Sequence, residues 1–200
     1  MLQLLGRATS GNVQKVLFLL EEIKLPYERK DYGRIFENTT TSPEYKAMNL
    51  TQKVPTIVDG ALSIWESHTI LRYLAAKHGA TELFPTDLGA RTQVERWMDW
   101  SLAALNSAYL GGFKDAKKSA EERGADTVKN LIAELVIVEQ QLGKTAWMAG
   151  DTFTLADICM GPIVRRCVKF PYDLPAMPNI AAWCVKLEAR PAFQTAIAAG

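Results

Sequence analysis

A chain of 200 residues can bury a sizeable core, as one large domain or two modest ones. Apolar residues make up 48% and charged residues 22%, ordinary for a soluble globular chain. With 23 Lys and Arg against 22 Asp and Glu the net charge is +1, so there is no electrostatic reason to expect nucleic acid or an anionic membrane as a partner.

In chain order, Leu2 to Gly6 is a short apolar strand, followed by a turn-rich loop to Asn12. Val13, Val16, Leu17, Leu20 and Ile23 then recur at helical spacing. The run Val16 to Leu20 is stopped by Glu21-Glu22, far short of a membrane span, and with Lys15 those glutamates break the only candidate for a secretory signal. Tyr27 to Tyr32 reads as a second strand, which completes a βαβ unit. A polar, irregular run covers Gly33 to Ser42, and a short helix covers Pro43 to Met48.

Thr56-Ile57-Val58 and Leu62-Ser63-Ile64 are two short strands joined by the turn signal Asp59-Gly60, which makes a β-hairpin. Val54-Pro55, just before the first of them, can hold a cis proline that leaves backbone groups open to a ligand. Glu66-Ser67 opens a helix that runs to about His78 with Ile70, Leu71 and Leu74 on one face. The free N–H groups at such a start can bind a carboxylate. The resulting order, βαβαββα over residues 1–79, is that of a thioredoxin-like domain.

Residues 80–87, with Pro85, read as a linker, and residues 88–200 as an all-α domain. Its first helix spans Leu88 to about Leu110 as one element, with small residues at Ala103, Ala104, Ser107, Ala108 and Gly111. Lys114 to Gly124 is a charged turn, and Val128 to Leu142 an amphipathic helix. Thr154 and Asp157 form a capping box, a folding device, on a helix that Gly161-Pro162 should kink. Ile180 to Leu187 and Pro191 to Ala198 close the chain. Cys159, Cys167 and Cys184 are odd in number and lack metal-like spacing, which suits reduced thiols in a cytoplasmic protein. His68 and His78 are too few for a metal site and read as helix-surface residues.

Lys53-Val54-Pro55 followed by Glu66-Ser67 resembles the glutathione site of the glutathione S-transferase family, and the likeness extends over nearly the whole chain. It implies that Pro55 is cis, that the Val54 backbone pairs with the cysteinyl part of glutathione, and that Glu66 and Ser67 hold its γ-glutamyl end. Members of theta-like and related serine-type classes place their catalytic serine where Ser10 stands, six residues before Val16. One departure matters: the position of a histidine in theta-like members is Thr40 here, so Lys53 and Gln52 must do more of the work at the glycine end of glutathione.

The loop that carries reactive sulfur in redox relatives of this fold reads Ser10-Gly11-Asn12-Val13, without cysteine. Disulfide exchange by a protein thiol is therefore excluded there. A hydroxyl or amide at this loop can still stabilise a thiolate brought by the ligand, helped by the positive end of the helix. Ser10 is the first candidate donor, Asn12 the second and Thr9 the third; as residue types, all three also suit a simple helix cap. Leu105, Tyr109, Phe113 and Arg166 are candidates for a second-substrate pocket, with ordinary packing as the alternative. The resemblance implies a homodimeric transferase that conjugates glutathione, as co-substrate and without a covalently bound cofactor, to small electrophiles. Glutathione-dependent isomerisation, dehalogenation or ether cleavage, and a non-catalytic glutathione-binding module, stay as alternatives.

Overall fold

The computed structural model describes residues 1–33 and 35–198. Four short strands, β1 (Leu2–Leu5), β2 (Tyr27–Lys30), β3 (Thr56–Asp59) and β4 (Leu62–Trp65), form one sheet in the order β2-β1-β3-β4. β2 runs parallel to β1, which requires a crossover, and helix α1 (Gly11–Glu22) supplies it. β3 and β4 pair antiparallel as the expected hairpin, with Gly60 at φ +63° in the turn, a conformation that Gly adopts without steric cost. The short helix α2 (Pro43–Met48) begins as its sequence dictates: the Tyr45 N–H donates to the Ser42 hydroxyl and Pro43 fills the first turn. With α3 (Ser67–Lys77) the order is βαβαββα, as expected.

This first unit comprises Met1–Thr81 and, in addition, the chain from Ala189 onward. The last helix was expected in the helical domain of residues 88–200. Instead Phe18 of α1 meets Phe193 edge-on at 5.0 Å, and Arg190 pairs with Glu22. An aromatic contact and an ion pair thus fasten the closing helix to α1.

The second unit, Glu82–Glu188, is helical. Its elements are α4 (Leu88–Trp100), α5 (Asn106–Asp115), α6 (Ala125–Leu142), α7 (Leu155–Cys167) and α8 (Pro178–Glu188); the closing helix of the first unit is α9 (Pro191–Ala198). The single helix expected from Leu88 to Leu110 is interrupted: Ser101–Leu105 is a π segment, in which the Asn106 N–H reaches back five residues to the Ser101 carbonyl. The Thr154–Asp157 box forms with both reciprocal bonds, and Pro162 lies inside α7. Asp157 has no exposed surface and is held by the N–H groups of Met148 and Thr154 and by Trp183 Nε1. No helix among the described residues is long and apolar enough to cross a membrane.

Candidate functional site

Strand register puts the candidate loops on one edge of the sheet. Lys30, Leu5, Thr56 and Trp65 stand side by side across the four strands. Leu5 ends β1 and leads to the Ser10 loop; Thr56 begins β3, immediately after Val54-Pro55; Trp65 ends β4 and leads to Glu66-Ser67. Gly6 shows how closely they meet, because a Cβ there would lie 2.6 Å from Val13 Cγ2 and 3.1 Å from Val54 Cβ. Any side chain at this position would push the start of α1 away from the Val54 turn.

Ser10 is the N-cap of α1 with extended backbone, yet its side chain makes no capping bond. Its carbonyl already accepts from the Gln14 N–H, so the helix is started by the main chain and the hydroxyl is not used for it. Asn12 is half-buried, and its Oδ1 is buried without a hydrogen-bond partner among the described residues. Thr9 is exposed in the preceding turn.

Val54-Pro55 is a cis peptide. The turn around it is held from below by a buried network that the sequence reading did not find. Tyr45, fully buried, donates to the Lys53 carbonyl at 2.7 Å, and Asn49 Nδ2 donates to the same carbonyl at 2.9 Å. Asn49 Nδ2 also donates to Thr56 Oγ1 at 2.9 Å. Since the Tyr45 proton is committed to Lys53, the 2.9 Å contact between Tyr45 and Thr56 is a donation by Thr56. Burial pushes the Tyr45 phenol above its ordinary pKa, so it stays a donor. The sequence signals this network only by Tyr45 inside the short helix and Asn49 just after it, shortly before Lys-Val-Pro.

Gln52 is half-buried at φ +55°, and the Lys53 side chain is exposed. Thr40 is 4% exposed in the loop that leads to α2, so its buried hydroxyl offers little surface to a ligand. At α3, Ser67 is the first helical residue and buried, while Glu66 is the exposed N-cap at φ +68°. Its side chain makes no capping bond. The first turn of α3 is thus not capped by the side chain that precedes it. A non-glycine residue held at positive φ costs of order 1–3 kcal/mol, and such positions concentrate at ligand clamps.

Comparison with known proteins bears on what these loops are for. Residues 9–77 match the model of the glutathione S-transferase N-terminal domain, and residues 102–191 that of the C-terminal domain. The glutathione S-transferase GstB of Escherichia coli (strain K12) is 33% identical over 98% of both chains. The chain belongs to the glutathione S-transferase family. Glutathione S-transferase F13 of Arabidopsis thaliana is 30% identical over 96% of this chain and 93% of its own. Among solved structures, the theta class glutathione S-transferase of Xanthomonas axonopodis pv. citri with glutathione bound superposes with a TM-score of 0.91, at 30% identity over 98% of this chain and 96% of that one. A family member from Pseudomonas fluorescens with two glutathione bound gives 0.86 at 26% identity, over 98% and 92% of the two chains.

For this transferase, two of the protein's own thiols are poor nucleophiles. Burial pushes the Cys167 thiol up to about 12 and the Cys184 thiol up to about 11. Neither is a thiolate at neutral pH. The second-substrate candidates divide in two. Leu105 has no exposed surface, and Tyr109, 5% exposed, stacks on Phe170 within the second unit's own packing. Phe113 is 37% exposed and Arg166 half-exposed, so these two keep surface for contacts beyond their helices. His68, read as a surface residue, is fully buried, with Nε2 3.0 Å from the Nζ of an equally buried Lys15. The sequence misled here because histidine and lysine on a helix are usually solvated.

Proposed function

We propose that this transferase binds glutathione along the sheet edge formed by the Ser10 loop, the Val54-Pro55 turn and the start of α3, stabilises its thiolate and adds it to small electrophilic compounds. The observation that carries the reading is the Ser10 hydroxyl, placed at the start of α1 without being spent on capping it. A free thiol of pKa about 8.5 is only a few per cent ionised at neutral pH, and a donor at a helix N-terminus favours the anion. Ser10 is the thiolate donor in this reading, with Asn12 as the second donor and Thr9 as loop support. The Val54 main chain pairs with the cysteinyl unit, Glu66 and Ser67 hold the γ-glutamyl end with its carboxylate on the start of α3, and Gln52 and Lys53 serve the glycyl end, with Thr40 marginal. Phe113 and Arg166 are the second-substrate residues that keep exposed surface.

The same reading makes the protein a cytoplasmic homodimer. Three free cysteines suit a reducing compartment. β4 is an edge strand with Leu62 and Trp65 exposed, a feature that soluble monomers usually cover. Retention on glutathione resin followed by conjugation assays over a panel of electrophiles tests the function. Elution in the void and no conjugation with any electrophile would overturn it. A monomeric mass by light scattering at micromolar concentration would remove the dimer.

A further inference from the structure

Lys15 is the fifth residue of α1 and His68 the second of α3, and neither exposes any surface. Lysine is almost never fully buried, because its ammonium loses hydration that protein groups must replace. An ammonium offers only donors, so at 3.0 Å one member of the pair must be neutral and accept: imidazole Nε2 from Lys15, or the amine from His68. Each residue also has interactions besides this one. The two helices also bury Val13, Val16, Leu17, Leu19 and Leu20 of α1 and Ile70, Leu71 and Leu74 of α3. Replacing a buried polar pair by apolar residues of similar volume, here a methionine and a leucine, is often neutral for stability.

What an apolar pair lacks is direction. Hydrophobic contacts let two helices slide by fractions of an ångström, whereas a buried hydrogen bond fixes one separation. Its two ends lie on the helices that begin with Ser10 and Ser67. We propose that Lys15 is a positioning residue for glutathione: through His68 it fixes the first turn of α3 against α1, so that the anion-binding N–H groups at Ser67 keep their place relative to the Ser10 hydroxyl. This inference rests on the glutathione reading given above.

The test compares Lys15→Met/His68→Leu, which removes both partners together, with His68→Leu and with His68→Gln, which keeps an acceptor for Lys15. Glutathione affinity is measured by calorimetry, KM and kcat by conjugation, the thiol pKa by thiolate absorbance against pH, and folding by urea unfolding. The double variant is expected to unfold near the wild-type midpoint while KM and Kd for glutathione rise about tenfold. The thiol pKa should stay at the wild-type value because Ser10 is intact, and His68→Gln should bind within about threefold of wild type. Wild-type affinity in the folded double variant overturns the proposal. So does equal binding by His68→Gln and His68→Leu, which decides the matter should the double variant not fold. If the wild-type protein itself does not bind glutathione, the functional reading has failed, and that result is visible before any variant is made.

Discussion

The starts of α3 and α7 are built from the same kind of residues and finished in opposite ways. At α7, Thr154 and Asp157 cap each other reciprocally, and the buried carboxylate also takes the Met148 N–H and Trp183 Nε1–H. At α3, Glu66 sits at φ +68° and its side chain makes no capping bond to the first turn. A helix end that the chain satisfies for itself serves folding. One that its own N-cap side chain leaves uncapped, at a residue held at positive φ, is suited to a ligand.

The largest break in this comparison is Asp157→Ala. It strands three buried donors at once, each worth about 1–3 kcal/mol, so a loss of about 3 kcal/mol or more is expected in urea unfolding, with the glutathione affinity of the folded protein unchanged. Ser10→Ala should do the reverse. Losing a hydrogen bond worth about 1.5–3 kcal/mol to the thiolate raises the thiol pKa by one to two units and lowers turnover at neutral pH, with affinity and fold nearly kept. Thiolate absorbance against pH reads this directly, and Asn12→Ala is expected to move it less. If Asn12→Ala shifts upward while Ser10→Ala does not, the asparagine is the activator.

Ser67→Ala or Glu66→Ala is expected to weaken glutathione binding by about 1.5–3 kcal/mol in calorimetry, since a charge-assisted contact at the helix start is lost. Unchanged affinity in both would remove α3 from the site.

The pH dependence sharpens the contrast further. Burial, opposed by its hydrogen bonds, pushes Asp157 up to about 6 from an ordinary value of 3.8. Between those values the folded protein holds a proton that the unfolded chain has released, so this group's contribution to stability falls as pH rises from about 4 to about 6 and is flat above. The slope is at most about 1.4 kcal/mol per pH unit, and Asp157→Asn should abolish it. The smallest effect is Glu66→Gly: relief at positive φ and the greater entropy of unfolded glycine nearly cancel, so stability shifts by about 0.5 kcal/mol or less while glutathione binding falls.

Much of the first unit was legible because its signals are local. Asp59-Gly60 marks a hairpin, Ser42-Pro43 a helix start, and the spacing of Val13, Val16, Leu17 and Leu20 the helix α1, although all of Val13 to Leu20 is buried and not that face alone. The candidate loops were legible through Lys53-Val54-Pro55 and Glu66-Ser67. What escaped depends on partners distant in sequence. Nothing local marks Tyr45 and Asn49 as the support of the Val54 turn, or shows Lys15 and His68 turning inward. The placement of α9 on α1 follows from Phe18 and Phe193, 175 positions apart by subtraction of their numbers.

The π segment at Ser101–Leu105 makes the α4–α5 rod a helix with two phases. The extra residue in that turn rotates everything from Asn106 onward by about 100° relative to an uninterrupted α-helix. Tyr109, 5% exposed, stays on the buried side of the rod. Deleting a single alanine, Ala103 or Ala104, would remove the extra residue and let the rod run as one α-helix with Tyr109 still facing Phe170, on which it stacks at 6.1 Å. For this helix, length and facing are one variable: holding all its residues in regular α turns, with none deleted, would turn a different set of side chains toward the core.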